Sequence, residues 1–244
     1  MRGVLAAAGG ESGEPFGQAD LDGLGELAEL TSAALEESER RERLEGIVEA
    51  GVEALLHAID MRDDYPGQHS ESVGHLARKV GQRLGMKGAE LWLLELAGRL
   101  HDVGKIGVPD AILNKPGPLE AHEWEVMRRH AELGAEMIAK VPGLEPVAPL
   151  VRSHHERWDG SGYPDGLARE EIPLASRVIA ACDCFHAMTA ARPYRPALGT
   201  AVALAELVGG AGTHFDPAVV AALQSASPAA VPVERPRVAH LRGL

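Results

Sequence analysis

Apolar residues recur at every third or fourth position over most of this chain, and no convincing segment alternates apolar with polar residues at a period of two. A helix gathers residues three and four apart on one face, whereas a half-buried strand needs strict alternation. The pattern therefore predicts an all-α fold. Leu44, Ile47, Val48, Val52, Leu55, Leu56 and Ile59 share one helical face. Val73, Leu76, Ala77, Val80 and Leu84 form a second, which Gly85 ends. A third helix carries Leu91, Leu94, Leu96, Ala97 and Leu100, and a fourth carries Trp124, Met127, Ala131, Gly134 and Ile138 up to Pro142-Gly143. Val147, Leu150 and Val151 mark a fifth, and Val178, Ile179, Cys182 and Phe185 a sixth. Two more are expected from Ala201 to Val208 and after Asp216-Pro217, where Asp caps and Pro takes the first turn.

Upstream of this bundle, residues 1–20 are rich in Gly, Ala and acidic groups without periodicity and are expected to form a disordered leader. Residues 21–44 are expected to form a connecting helix. Its stretch from Glu36 to Arg43 is almost wholly charged and therefore solvated. Its apolar seam is shorter than the three or four heptads of a coiled coil, yet it offers a surface for a homodimer. The folded domain is expected over 45–225, followed by a C-terminal tail over 226–244.

Composition narrows the partners. Of 244 residues, 45% are apolar but only 4% aromatic, so aliphatic side chains must fill the core. Lys and Arg number 24 against 36 Asp and Glu, a net charge of -12. Such a chain repels polyanions, which argues against duplex nucleic acid or an anionic membrane as the main partner. A small phosphorylated ligand is compatible with it, because bound metal ions reverse the local sign. No run of 18 apolar residues suggests a membrane span, and Met1 to Gly10 has no signal core. Cys182 and Cys184 stand two apart and cannot usefully staple a fold. The expected location is cytoplasmic.

The chemistry lies in the histidines. His101-Asp102 ends the third helix and precedes Gly104-Lys105. His130 falls three residues after Met127, on the inward face, and His154-His155 extend the apolar face of the fifth helix. Asp183 sits four residues after Ile179 on the inward side of the sixth, and His69 lies just before the second. One inward histidine is usually a satisfied core residue. Five imidazoles and two carboxylates among aliphatics are costly to bury unless something pairs with them, and metal ions do so. Imidazole and carboxylate without thiolate suit iron or manganese, with zinc less suited. A shared Asp can bridge two ions about 3.5–4 Å apart, a spacing used for in-line attack on phosphorus.

The run His101-Asp102-Val103-Gly104-Lys105-Ile106-Gly107-Val108-Pro109-Asp110 resembles the signature of the HD phosphohydrolases. The run from His154 to Pro164, with Asp159-Gly160-Ser161-Gly162-Tyr163-Pro164, resembles the hallmark of the HD-GYP subfamily. Ile112 to Gly117, Ile172-Pro173-Leu174, Arg192-Pro193-Tyr194-Arg195 and Gly212 to Pro217 match further family motifs in order. The resemblance covers about residues 45–225. It implies an all-helical phosphodiesterase that hydrolyses cyclic di-GMP to the linear dinucleotide, to GMP, or to both.

The same resemblance implies two divalent ions. His69, His101, Asp102 and Asp183 would hold one, and Asp102, His130, His154 and His155 the other, with Asp102 bridging. Some members hold a third ion with a Glu four residues before the first His. Tyr65 stands there in this chain, so two ions are expected. Lys105 resembles a lysine near the scissile phosphate, which makes Asp102 and Lys105 the expected catalytic pair. Arg192 and Arg195 resemble residues that meet the second phosphate or guanine. Gly162, Tyr163 and Pro164 belong to a loop that approaches substrate or a protein partner such as a diguanylate cyclase. His186 stands where the family usually has Asp, and reads as a neighbour of the ligands rather than a ligand. Glu120-Ala121 replaces the usual Thr, so a helix cap is expected to be lost. The alternatives are a signalling adaptor with weak or no catalysis, and a phosphohydrolase of another cyclic nucleotide.

Overall fold

The computed structural model describes residues 17–60, 68–190 and 197–226. Ten α-helices lie among the described residues: α1 Gln18–Asp60, α2 Gln68–Arg83, α3 Ala89–Leu100, α4 Asp110–Leu113 and α5 Ala121–Arg128. They continue with α6 His130–Ile138, α7 Ala148–Arg152, α8 Leu174–Thr189, α9 Thr200–Gly209 and α10 Pro217–Ala226. Short 3-10 turns occupy Val103–Gly107, Glu145–Val147 and Arg169–Glu171. The described residues contain no strand, only an isolated bridge between Ala211 and Phe215. The fold is all-α.

The chain divides into two units, Met1–Glu53 and Ala54–Leu244. In the first, α1 begins at Gln18 and is unbroken through the charged stretch, whose side chains are all exposed. The remaining leader positions, 1–16, and the tail from 227 lie outside the described residues.

In the second unit α2 packs on α3 and α8, α6 on α7 and the Val103–Gly107 turn, and α10 on α2 and α8. The core is aliphatic, as the composition demands. Leu94, Leu100, Ile138, Ile172, Ile179, Leu207 and Leu223 are fully buried, and Phe215 is the one aromatic residue among the described buried apolar side chains. Each such burial contributes about 1.5–3 kcal/mol.

The expected fourth helix is two helices, and the joint matters for function. Arg129 has ψ of -13°, and its N–H donates to Val126 three residues back, a 3-10 contact at 3.2 Å. Beside this joint the Met127 carbonyl accepts from His130 Nδ1 at 2.6 Å. At the start of α5 the cap is not lost. The Glu123 carboxylate accepts the Glu120 N–H at 2.7 Å, and Lys115 Nζ fixes that carboxylate at 2.6 Å.

Candidate metal centre

Six of the seven expected ligands sit at helix ends, where backbone groups lack helical partners. His69 is in the first turn of α2, His101 follows the last residue of α3, and Asp102 precedes the 3-10 turn. His130 opens α6, and His154 and His155 follow α7. Asp183 alone lies inside a helix, on α8.

The helix ends aim the imidazoles. His101 Nδ1 donates to the Gly98 carbonyl at 2.8 Å, His130 Nδ1 to Met127 at 2.6 Å, and His154 Nδ1 to Val151 at 2.5 Å. In each case the acceptor lies three residues upstream. With Nδ1 committed as a donor, Nε2 presents its lone pair to the opposite side. There the rings converge: His130 Nε2 lies 3.3 Å from His154 Nε2, and His155 packs 4.0 Å from the His154 ring.

Two groups of ligand atoms result, each within 4.8 Å of one another: Asp102, His130, His154 and His155, and His69, His101 and Asp183. Asp102 reaches both. Its Oδ1 is 3.5 Å from His130 Nε2 and its Oδ2 is 3.3 Å from His101 Nε2. Asp183 Oδ1 lies 3.1 Å from His69 Nε2 and 3.9 Å from His101 Nε2. The sequence thus nominated seven side chains that the fold brings into two adjoining groups, with Asp102 within 3.5 Å of a histidine in each.

Glycine makes this approach feasible at one point. A Cβ on Gly104 would collide with the His130 carbonyl oxygen and stand 2.5 Å from the Gly134 nitrogen. Only glycine lets the turn after Asp102 lie directly on the start of α6.

The ionisation states match a cation site. Burial, then neighbouring imidazoles, holds His154 well below its usual range and pushes His155 down to about 3. His130 is also lowered, chiefly by burial. These three rings are neutral donors. Burial opposes charge on Asp102, but Lys105 and His101 outweigh it and keep this carboxyl well below its ordinary value. Asp183 is lowered too, against burial, by His69 and His101. Burial alone would lower His101; the Asp102 and Asp183 carboxylates overcome it and raise it to about 9. A proton so held is one that a divalent ion displaces on binding.

His101 Nε2 gives the clearest test of fit. It is buried and has no hydrogen-bond partner, although it faces two carboxylates. A buried polar atom left so costs about 1–3 kcal/mol, and a metal ion that displaces its proton would remove that cost. Neutral imidazole nitrogens and ionised carboxylate oxygens, without thiolate, form a donor set suited to iron, manganese or zinc.

Lys105 Nζ lies 2.7 Å from Asp102 Oδ2 at the edge of the cluster. Tyr163 stacks on the His155 ring at 4.8 Å and 28°, and so backs a ligand. Gly162 lets that loop close, since a Cβ there would run into the Glu156-Arg157 backbone. Pro164 follows across a cis peptide bond and is half-buried. Tyr65, Arg192 and Arg195 lie outside the described residues.

Sequence reasoning gave no role to Glu156, which is 3% exposed. Its Oε1 accepts the Asp165 N–H at 2.7 Å and the Gly166 N–H at 3.0 Å, and so shapes the loop behind His155. A carboxylate directly after the histidine pair was the available signal. Arg128 was also missed. Its guanidinium sits 5.1 Å from the Tyr163 ring centroid, a contact between distant segments that no periodicity announces.

Comparison with known proteins identifies the family. The family described as HD domain matches residues 53–219. The cyclic di-GMP phosphodiesterase response regulator RpfG of Xanthomonas campestris is 41% identical over 81% of this chain and 51% of its own. A cyclic di-GMP phosphodiesterase of Thermotoga maritima is 38% identical over 70% of this chain and 47% of its own. The 3'3'-cGAMP-specific phosphodiesterase 2 of Vibrio cholerae is 36% identical over 68% and 32%. The chain spans about half the length, or less, of these relatives. Among solved structures, a cyclic GMP-AMP phosphodiesterase of V. cholerae has a similar fold, with TM-score 0.56 and 22% identity over 70% of this chain and 46% of its own. On the strength of the matched segment and of its motifs, this chain belongs to the HD-domain family of phosphohydrolases, in the HD-GYP branch.

Proposed function

We propose that the chain is a metal-dependent phosphodiesterase that hydrolyses cyclic di-GMP to the linear dinucleotide, to GMP, or to both. The observation that carries this reading is the gathering of seven candidate ligand side chains, Asp102 among them, into two adjoining groups, with Lys105 beside Asp102. His69, His101, Asp102 and Asp183 would hold one ion and Asp102, His130, His154 and His155 a second. Iron or manganese suits this donor set best. When bound, such ions act as Lewis acids on phosphoryl oxygen and bring the pKa of water into the working range.

The chain's own residues do the rest. Asp102 stays ionised at working pH and faces both ligand groups. The three neutral rings of His130, His154 and His155 are available as donors without first losing a proton. Lys105 carries a cation at the edge of the cluster, placed to offset charge that develops on the phosphoryl oxygens as the P–O bond breaks. Glu156 and Gly162 hold the loop that presses Tyr163 onto His155, which keeps water from that side of the ring. Arg192 and Arg195 are the groups proposed for the second phosphate or the guanine, where their planar forks suit phosphate.

A second substrate has support from one observation: a relative of comparable identity is named for 3'3'-cGAMP. Hydrolysis of cyclic di-GMP, 3'3'-cGAMP and other cyclic nucleotides by protein loaded anaerobically with Fe(II) or Mn(II) tests the reading. Faster cleavage of cyclic di-GMP supports it. Preference for 3'3'-cGAMP moves the substrate, and no cleavage together with binding to a diguanylate cyclase makes the chain an adaptor.

We further propose a homodimer formed along α1, where Leu21, Leu27, Leu30 and Leu35 are exposed. No described helix is long and apolar enough to cross a membrane. A cytoplasmic location is part of the proposal, since the substrate class is intracellular and both cysteines are free.

A further inference from the structure

His69 is oriented differently from the three histidines fixed by helix-end carbonyls. It lies in the first turn of α2, so the position three residues upstream precedes the helix. Its Nδ1 instead meets His186 Nδ1 at 2.7 Å, with the rings 4.8 Å apart. Its Nε2 faces Asp183 Oδ1 at 3.1 Å. Asp183 and His186 are three residues apart on α8 and share a face, so one helix meets both nitrogens of His69.

Two imidazole nitrogens at this distance need one proton between them. If the His69 Nε2 lone pair serves the ligand group, its proton is on Nδ1, and His186 Nδ1 is the acceptor. His186 then carries its own proton on Nε2. We propose that His186 is the positioning residue of His69, an acceptor that fixes its ring and sets how tightly the His69, His101 and Asp183 group holds its ion.

This rests on the metal centre proposed above and deepens it. An outer partner orients a ligand and raises its basicity, and a carboxylate does so more strongly than a neutral ring. With His at position 186, this ion is the one more readily lost. In the other group His130 and His154 are held by backbone carbonyls, which no side-chain change removes.

The test is a chelator titration of Mn(II)-loaded full-length protein, with metal counted per chain, for wild type, His186→Leu and His186→Asp. His186→Leu removes the acceptor. One ion should then bind about 10- to 100-fold more weakly, while the affinity of the other changes less than about twofold. His186→Asp restores a charged acceptor and should hold that ion at least as tightly as wild type. Melting of the metal-free proteins checks folding, and if His186→Leu does not fold, the comparison of wild type with His186→Asp decides. Wild-type affinity for both ions in His186→Leu, or weaker binding in His186→Asp than in wild type, overturns the inference alone. A wild-type chain that takes up no pair of ions overturns the metal centre and this inference with it.

Discussion

Asp102 turns one carboxylate oxygen towards each ligand group, and Lys105 Nζ lies 2.7 Å from Oδ2. On the proposed reading, lysine and metal would have separate tasks around one carboxylate. Lys105→Met should lower kcat about 10²- to 10³-fold, the cost of losing one donor to developing charge. Metal content should be unchanged, and metal analysis beside steady-state kinetics checks both. Loss of metal would make Lys105 a structural partner of Asp102. The buried rings also set a pH response. An unfolded chain protonates His130, His154 and His155 below about pH 6.5, whereas the folded chain resists, His155 down to about 3. The unfolded state binds more protons there, so stability must fall as pH drops, by about 1.4 kcal/mol per pH unit for each extra proton. His101, raised to about 9, acts oppositely: its contribution is full below pH 6.5 and is lost towards pH 9. The metal-free chain should thus melt highest near pH 6.5 and at lower temperature by pH 5. A melting temperature that rose towards pH 5 would contradict these ionisation states. At this scale the clustering of the seven candidate ligands was legible, because titratable groups on apolar faces stand out in a sequence. The contact of His186 with His69 was not, since it depends on how α2 and α8 pack.

The helix ends explain why the candidate ligands are where they are. A helix terminus leaves carbonyls free, and three histidines use them to fix a tautomer. Gly104 and Gly134 then bring the turn after Asp102 onto α6. Gly104→Ala places a methyl group against the His130 carbonyl and should destabilise the protein by about 1–3 kcal/mol. It should also weaken metal binding, as read by calorimetric melting and metal analysis. Unchanged melting and metal content would show that the contact is not needed. Periodicity identified most helices but not the joint at Arg129, because the apolar spacing from Trp124 to Ile138 carries across it. It likewise gave no reason for α1 to remain one helix through Glu36 to Arg43, where solvated side chains neither require nor forbid a break.

On the scale of the molecule, a chain with a net charge of -12 would have to accept the anionic substrate proposed for it, and bound cations with Lys105 would supply the local reversal of sign. The family was legible from ordered motifs over most of the chain, while the assembly was not, since a short exposed seam fits several partners. Leu30 is 70% exposed on α1. Leu30→Glu should convert the proposed dimer to a monomer in light scattering and leave metal content unaltered. A wild-type monomer, or a dimer that survives the change, would place the interface elsewhere or remove it. The central claim is that one carboxylate joins two ions into a hydrolytic centre. Metal analysis of anaerobically purified wild type and Asp102→Asn tests it most directly. The account predicts two ions per wild-type chain and at most one in the variant; two ions retained in Asp102→Asn would contradict it.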